Sequence, residues 1–209
     1  YGLIGIGGEA IMTPTPTGYA QTAWSVGPAI AWMPFYAVGH AGASYLAARG
    51  VQVATDGSSY PYRQAVAVAG LFYGLLGFWF CYRLAARHYA GGLAILSTAA
   101  LALGSFMLWY LVKEPTMSHA TSMCAVAAFV YAWDLTRGRR AAWQWAALGL
   151  LGGLMLAIRW QNLVFVAFPA WELASALASG PGARDRRAAV LHGALFGACA
   201  FVAFLPQLV

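Results

Sequence analysis

Charge is scarce in this chain: 9% of its residues are Asp, Glu, Lys or Arg, against about 25% in a soluble globular domain. That shortage excludes an ordinary solvated surface. Acids are scarcer still, six in 209 residues, too few and too scattered to line a proton relay at mid-membrane depth. The three cysteines, Cys81, Cys124 and Cys199, all lie inside apolar runs. Their odd number and wide spacing exclude a disulfide framework and a cysteine metal site. No glycine-rich nucleotide loop stands between a strand and a helix, and Gly180-Pro181-Gly182 reads as a turn in a basic loop.

What is abundant is apolar sequence, 61% of the chain at a mean hydropathy of +0.65. It falls into six runs, approximately 64–82, 92–112, 118–136, 141–158, 161–179 and 188–206. Each is long enough to cross a hydrocarbon core as a helix. The expected fold class is therefore all-α: a polytopic transmembrane helical bundle of about six spans. Residues 1–63 precede it as a loop region with an outer juxtamembrane or re-entrant helix over 28–48. In that segment Pro28 suits a helix start, Pro34 interrupts the run, and Trp24, Trp32, Phe35 and Tyr36 favour an interface. Gly70, Gly74 and Gly77, and Gly193 with Gly197, are spaced to let helices touch closely in lipid.

The net charge of +6 does not gather on one face, so nucleic acid is not an expected partner. The basic residues mark the ends of the apolar runs. Eight of them, Arg83, Arg87, Arg137, Arg139, Arg140, Arg184, Arg186 and Arg187, share one side. Four, Arg49, Arg63, Lys113 and Arg159, share the other. The positive-inside rule makes the first set cytoplasmic and turns the segments 113–117 and 159–161 outward.

Two polar clusters then face out. Lys113-Glu114-Pro115-Thr116-Met117-Ser118-His119 continues into Thr121 and Ser122. Glu114 and Pro115 suit the start of a helix, but capping does not require an imidazole one turn deeper. Arg159-Trp160-Gln161-Asn162 is the second cluster, an arginine beside two amides. An isolated arginine at a span boundary snorkels to water. With two amides it makes a clamp for a phosphate. Asp134 is accounted for by an ion pair with nearby Arg137, and Glu172 by snorkelling inward or by a polar partner. His88 and His192 lie near the cytoplasmic boundary.

Several of these segments resemble multi-spanning glycosyltransferases of the GT-C type, which include relatives of protein O-mannosyltransferases and of the lipid A aminoarabinose transferase. Ser25 to Tyr36 resembles the close of the first large periplasmic loop, with its juxtamembrane helices. Glu114 to His119 resembles the second outer loop, Gly152 to Asn162 a later span ending in an outer arginine, and Phe204-Leu205-Pro206-Gln207 the end of a further span. The resemblance implies transfer of a sugar from a polyprenyl-phosphate carrier to a lipid, glycan or protein acceptor, in a bacterial inner membrane, at a site facing the periplasm.

By the same resemblance Glu114 and His119 are secondary catalytic residues. Arg159, Gln161 and Asn162, with Lys113 beside them, contact the carrier phosphate. The family's principal acid follows its first span. The chain reads as an internal piece of a longer protein, and that acid is expected upstream of Tyr1. Glu9, in a Gly/Thr/Pro loop, lacks the neighbours the family shows. Some relatives bind a divalent metal, for which this sequence offers no ligand set. The rival expectation is a secondary transporter or permease of a small solute, which calls for broken helices with polar residues near the midplane.

The charge count generates a direct expectation. With Asp56→Cys, an impermeant thiol reagent applied from outside labels the protein; labelling from the cytoplasmic side alone contradicts the orientation.

Overall fold

The computed structural model describes residues 25–208, apart from 139, 180 and 181. Most of the loop expected over 1–27 therefore lies outside the described residues, with Tyr1, Glu9, Trp24, Arg139 and the Gly180-Pro181 turn. The described chain is all-helical. Eight α-helices follow one another: α1 Gly27–Ala48, α2 Tyr60–His88, α3 Gly91–Leu103, α4 Met107–Val112, α5 His119–Thr136, α6 Ala142–Ile158, α7 Ala167–Ser179 and α8 Ala183–Phe204. Two 3-10 segments, Trp160–Val166 and Leu205–Gln207, precede α7 and follow α8.

Among the described residues two helices are long and apolar enough to cross a membrane, α2 and the stretch Asp185–Gln207. The fourth expected run is also one helix, α6, but a shorter one. Two of the expected runs are not single helices. The run 92–112 is broken into α3 and α4 at Gly104-Ser105-Phe106, and neither piece spans alone. Gly104 ends α3 by donating to the Ala100 carbonyl, and the Ser105 hydroxyl accepts the Met107 N–H, so the chain turns locally. The run 161–179 starts as the tighter 3-10 helix. Pro169 in the first turn of α7 has no N–H to donate back to Phe165, and regular α-helix begins only around it.

Expectation and structure agree that 28–48 contains a helix. Pro28 sits in the first turn of α1, and the helix continues through Pro34 instead of breaking there. It packs antiparallel on the first half of α2. The Tyr73 hydroxyl donates to the Ala31 carbonyl, Phe35 packs on Phe72 with ring centroids 5.4 Å apart, and His40 Nδ1 lies 2.6 Å from the Tyr62 hydroxyl. In the connecting loop Ser58 gives first its backbone N–H and then its hydroxyl to Asp56, which holds that carboxyl below the usual carboxylate range.

Helix contact is closest where side chains are absent. The most extensive contacts join α6 to α8 and α2 to α5. A Cβ at Gly149 or Gly153 of α6 would strike the backbone carbonyls of Phe196 or Ala200 on α8; at Gly77 of α2 it would meet Cys124 of α5. The expectation for Gly70, Gly74 and Gly77 thus holds in its geometry, while Gly197 of α8 faces open space. Between these contacts Phe129, Trp145, Leu148, Met155 and Phe196 form the buried core of α5, α6 and α8.

One end of the bundle pairs its charges internally. Asp134 accepts from Arg87 Nε at 2.6 Å and contacts His88 Nε2 at 3.0 Å, so its partners come from α2 and not from Arg137 as expected. Arg137 instead lies over the Trp133 ring. The buried Arg140 donates to Glu172 at 3.0 Å, to the Thr136 hydroxyl and to the Trp133 carbonyl, with Trp145 stacked against it. Glu172 meets a polar partner, one of the two outcomes the sequence left open.

Gly149→Ala or Gly153→Ala is expected to cost about 1–3 kcal/mol, because the new methyl forces α6 off α8. Gly197→Ala is expected to be neutral, or stabilising by up to about 1 kcal/mol. Thermal unfolding in detergent checks this; equal effects at all three positions contradict it.

Candidate functional site

The opposite end carries the polar clusters, and several helices deliver it. α6 stops at Ile158, and Arg159 takes an extended conformation (φ −153°, ψ 120°) before the 3-10 turns begin. This break swings the Arg159 side chain off the α6 axis toward the first turn of α5. There Arg159 Nη1 lies 2.7 Å from His119 Nδ1, and 3.4 Å from Nε2. A guanidinium can only donate, so the nearer nitrogen, Nδ1, is the acceptor and the ring proton belongs on Nε2.

A second group fixes the imidazole. Tyr110, in α4, stacks on it with ring centroids 3.8 Å apart at an interplanar angle of 17°. α4 is held there by Leu111, which fills the space left by Gly74 of α2. The chain then turns tightly through 113–118, with the Glu114 carbonyl accepting from the Met117 N–H. Pro115 belongs to this turn, not to the first turn of α5 as expected, because α5 begins only at His119. Its carbonyl presses on Gly70 of α2.

The expected site residues divide accordingly. His119 and Arg159 touch, and the charges of Arg159 and Glu114 both act on the His119 ring. Lys113 and Gln161 are exposed, with no side-chain hydrogen bond among the described residues. Asn162 is different. Its side chain is buried and saturated by protein: Nδ2 donates to Ser122 Oγ at 3.0 Å and to the Met155 carbonyl at 3.1 Å, while the Ser122 hydroxyl donates back to Oδ1. Direct contact with a carrier phosphate is therefore the wrong role for Asn162, because its amide has no group left to offer.

Three further contacts bind the rest of the chain to this rim. Val26 donates its N–H to Gln207 Oε1 at 2.8 Å, joining the start of α1 to the end of α8. Trp32 Nε1 donates to Thr121 Oγ1 at 2.9 Å. Gly27 lies directly on the Ala157–Ile158 backbone, where a Cβ would collide. Below this contact an almost wholly apolar cavity of about 310 Å³ runs between α1, α2, α5 and α6, lined among others by Ile30, Tyr73, Phe80, Leu151 and Ile158. Its edge residues Thr121 and Ile158 are near neighbours in sequence of His119 and Arg159.

Comparison supplies no relative. No family model matches the chain, and no similar curated protein or solved structure was found. The chemistry of the rim must be read from its own geometry.

That geometry suits an anion. The remaining N–H groups of Arg159 have no partner among the described residues, the His119 imidazole borders them, and the exposed Lys113 lies just before His119 in the chain. Among the described residues no three His, Cys, Asp or Glu side chains come together.

Sequence reasoning identified His119 and Arg159 but missed Tyr110, Val26 and Gln207 as supports of the rim. Tyr110 carried a signal: an aromatic in the last turn before a charged loop. The Val26–Gln207 bond carried none, since it joins chain positions 181 apart.

Imidazole ¹⁵N NMR at neutral pH is expected to show His119 as the Nε2–H tautomer with an accepting Nδ1, and Arg159→Ala to shift the Nδ1 resonance. An Nδ1–H tautomer contradicts the contact.

Proposed function

We propose that this chain belongs to a membrane glycosyltransferase that takes sugar from a polyprenyl-phosphate carrier and passes it to an acceptor at the rim holding Arg159 and His119. One observation carries the reading. The four segments that resemble the GT-C enzymes, dispersed over the sequence, meet at one end of the bundle through Val26–Gln207, Gly27–Ile158 and Arg159–His119.

The roles follow from charge. Transfer leaves negative charge on the carrier phosphate, and a guanidinium positioned there stabilises it as it develops. Arg159 is that group, with Lys113 and Gln161 in reach of the same water–lipid boundary. The prenyl tail lies along apolar surface, for which the cavity below Gly27 is suited. Glu114 and His119 border the acceptor side, where a carboxylate or neutral imidazole orients a hydroxyl. The surrounding bundle reads as about six membrane crossings in a bacterial inner membrane, with this rim toward the periplasm.

A second reading, a solute permease, is favoured by the broken path of α3 and α4 and by the 3-10 entry into α7. Polar groups do not gather at the first break, where the Ser105 hydroxyl is used locally. The glycosyltransferase reading therefore leads.

Reconstituted in nanodiscs, the chain is expected to bind a polyprenyl phosphate, and Arg159→Ala to weaken binding about tenfold or more. A hydrogen bond to a charged group contributes about 1.5–3 kcal/mol, and each 1.4 kcal/mol is tenfold in affinity. Equal binding by the variant removes Arg159 from the site; solute flux without carrier binding favours the permease.

A further inference from the structure

α5 and the end of α6 meet in two rungs of equal spacing. His119 pairs with Arg159 and Ser122 with Asn162, each pair 40 positions apart in sequence and the two separated by three residues on either strand of chain. On α5 that spacing is nearly one helical turn, so His119 and Ser122 share a face. The upper rung is half-buried and ends in free donors. The lower rung is buried, reciprocal and saturated.

We infer that Asn162 is a positioning residue: acting through Ser122, it sets the place of Arg159 at the anion site. The inference rests on the reading of Arg159 as the phosphate-binding group for its functional consequence, but its geometric half stands without that reading.

Three contacts converge on the Asn162 residue. Its side chain ties the 3-10 segment to Ser122 on α5 and to the Met155 carbonyl in the last turn of α6. Its backbone N–H closes a turn onto the Arg159 carbonyl at 3.0 Å. Arg159 thus sits in a short extended link whose two ends are fixed, one by the α6 helix and the other by the Asn162 amide. Without the amide, the 3-10 segment loses its attachment to α5. The Met155 carbonyl keeps only the Arg159 N–H, at 3.2 Å. The extended link is then free to rejoin the helix, carrying the guanidinium away from His119. Ser122 contributes one hydroxyl that both donates and accepts, a demand that threonine meets and alanine does not.

The test compares wild type with Arg159→Ala, Asn162→Ala, the double variant carrying both, Ser122→Ala and Ser122→Thr in nanodiscs, by His119 imidazole ¹⁵N shifts and by polyprenyl-phosphate affinity. The expected result is that Asn162→Ala and Ser122→Ala move the His119 Nδ1 resonance to its Arg159→Ala position, while Ser122→Thr keeps the wild-type spectrum. In affinity, Asn162→Ala is expected to lose about as much as Arg159→Ala and to add nothing in the double variant. A His119 spectrum unchanged by Ser122→Ala, or additive losses in the double variant, overturns the inference. Should Asn162→Ala not fold, Ser122→Ala decides the matter, since it removes the same rung by one atom. If wild type and Arg159→Ala bind the carrier equally, the proposed function falls, and the His119 spectra still decide whether Asn162 positions Arg159.

Discussion

The structure depends on helices that touch backbone to backbone. Where Gly77 of α2 faces Cys124 of α5, and where Gly149 and Gly153 of α6 face Phe196 and Ala200 of α8, the missing side chains set the distance between axes. Contacts this close hold helices by packing and interhelical hydrogen bonds, the means of association that an apolar solvent leaves available. Everything at the candidate site inherits its geometry from these contacts. α5 can present His119 and Ser122 to the end of α6 only because α2 and α8 hold both helices close. The same logic appears at Gly27, whose bare Cα lets the start of α1 rest on the Ala157–Ile158 backbone and close the rim over the apolar cavity.

The two ends of the bundle treat charge in opposite ways. At one, the acids of α5 and α7 have basic partners: Asp134 with Arg87 and His88, Glu172 with Arg140, the last pair reinforced by Trp133 and Trp145. These residues hold α2, α5, α6 and α7 together and leave little of their charge for a ligand. At the other end Arg159 has a neutral base for its neighbour, and neither Glu114 nor Lys113 forms an ion pair among the described residues. Unspent charge beside a buried, saturated clasp is the arrangement a binding site needs: a rigid support below and open donors above.

Much of this fold was legible because apolar run length and basic flanks are local properties. The boundaries of α5 and α6 fall within a residue or two of the runs 118–136 and 141–158. What hydropathy cannot register is a change of backbone path inside an apolar run. Gly104 and Ser105 are apolar enough on average to pass unnoticed, yet they break the second run, and Pro169 acts on the turns before it. The site was legible in residue type and not in role. His119 and Arg159 were marked by polarity in apolar surroundings. The same signal marked Asn162, because an amide that faces a ligand and one that faces Ser122 look alike in sequence. Asp134 shows the same limit: Arg137 is its neighbour in the chain, but α2 brings Arg87 and His88 to it in space.

Photo-crosslinking tests directly whether a lipid phosphate sits at this rim. A polyprenyl phosphate with a diazirine in its first isoprene unit, irradiated with the chain in nanodiscs and mapped by peptide mass spectrometry, is expected to modify the segments around 110–122 and 157–163. Adducts confined to the opposite rim, around Arg87, Arg140 or Arg187, would contradict it, as would labelling spread evenly over the apolar surface.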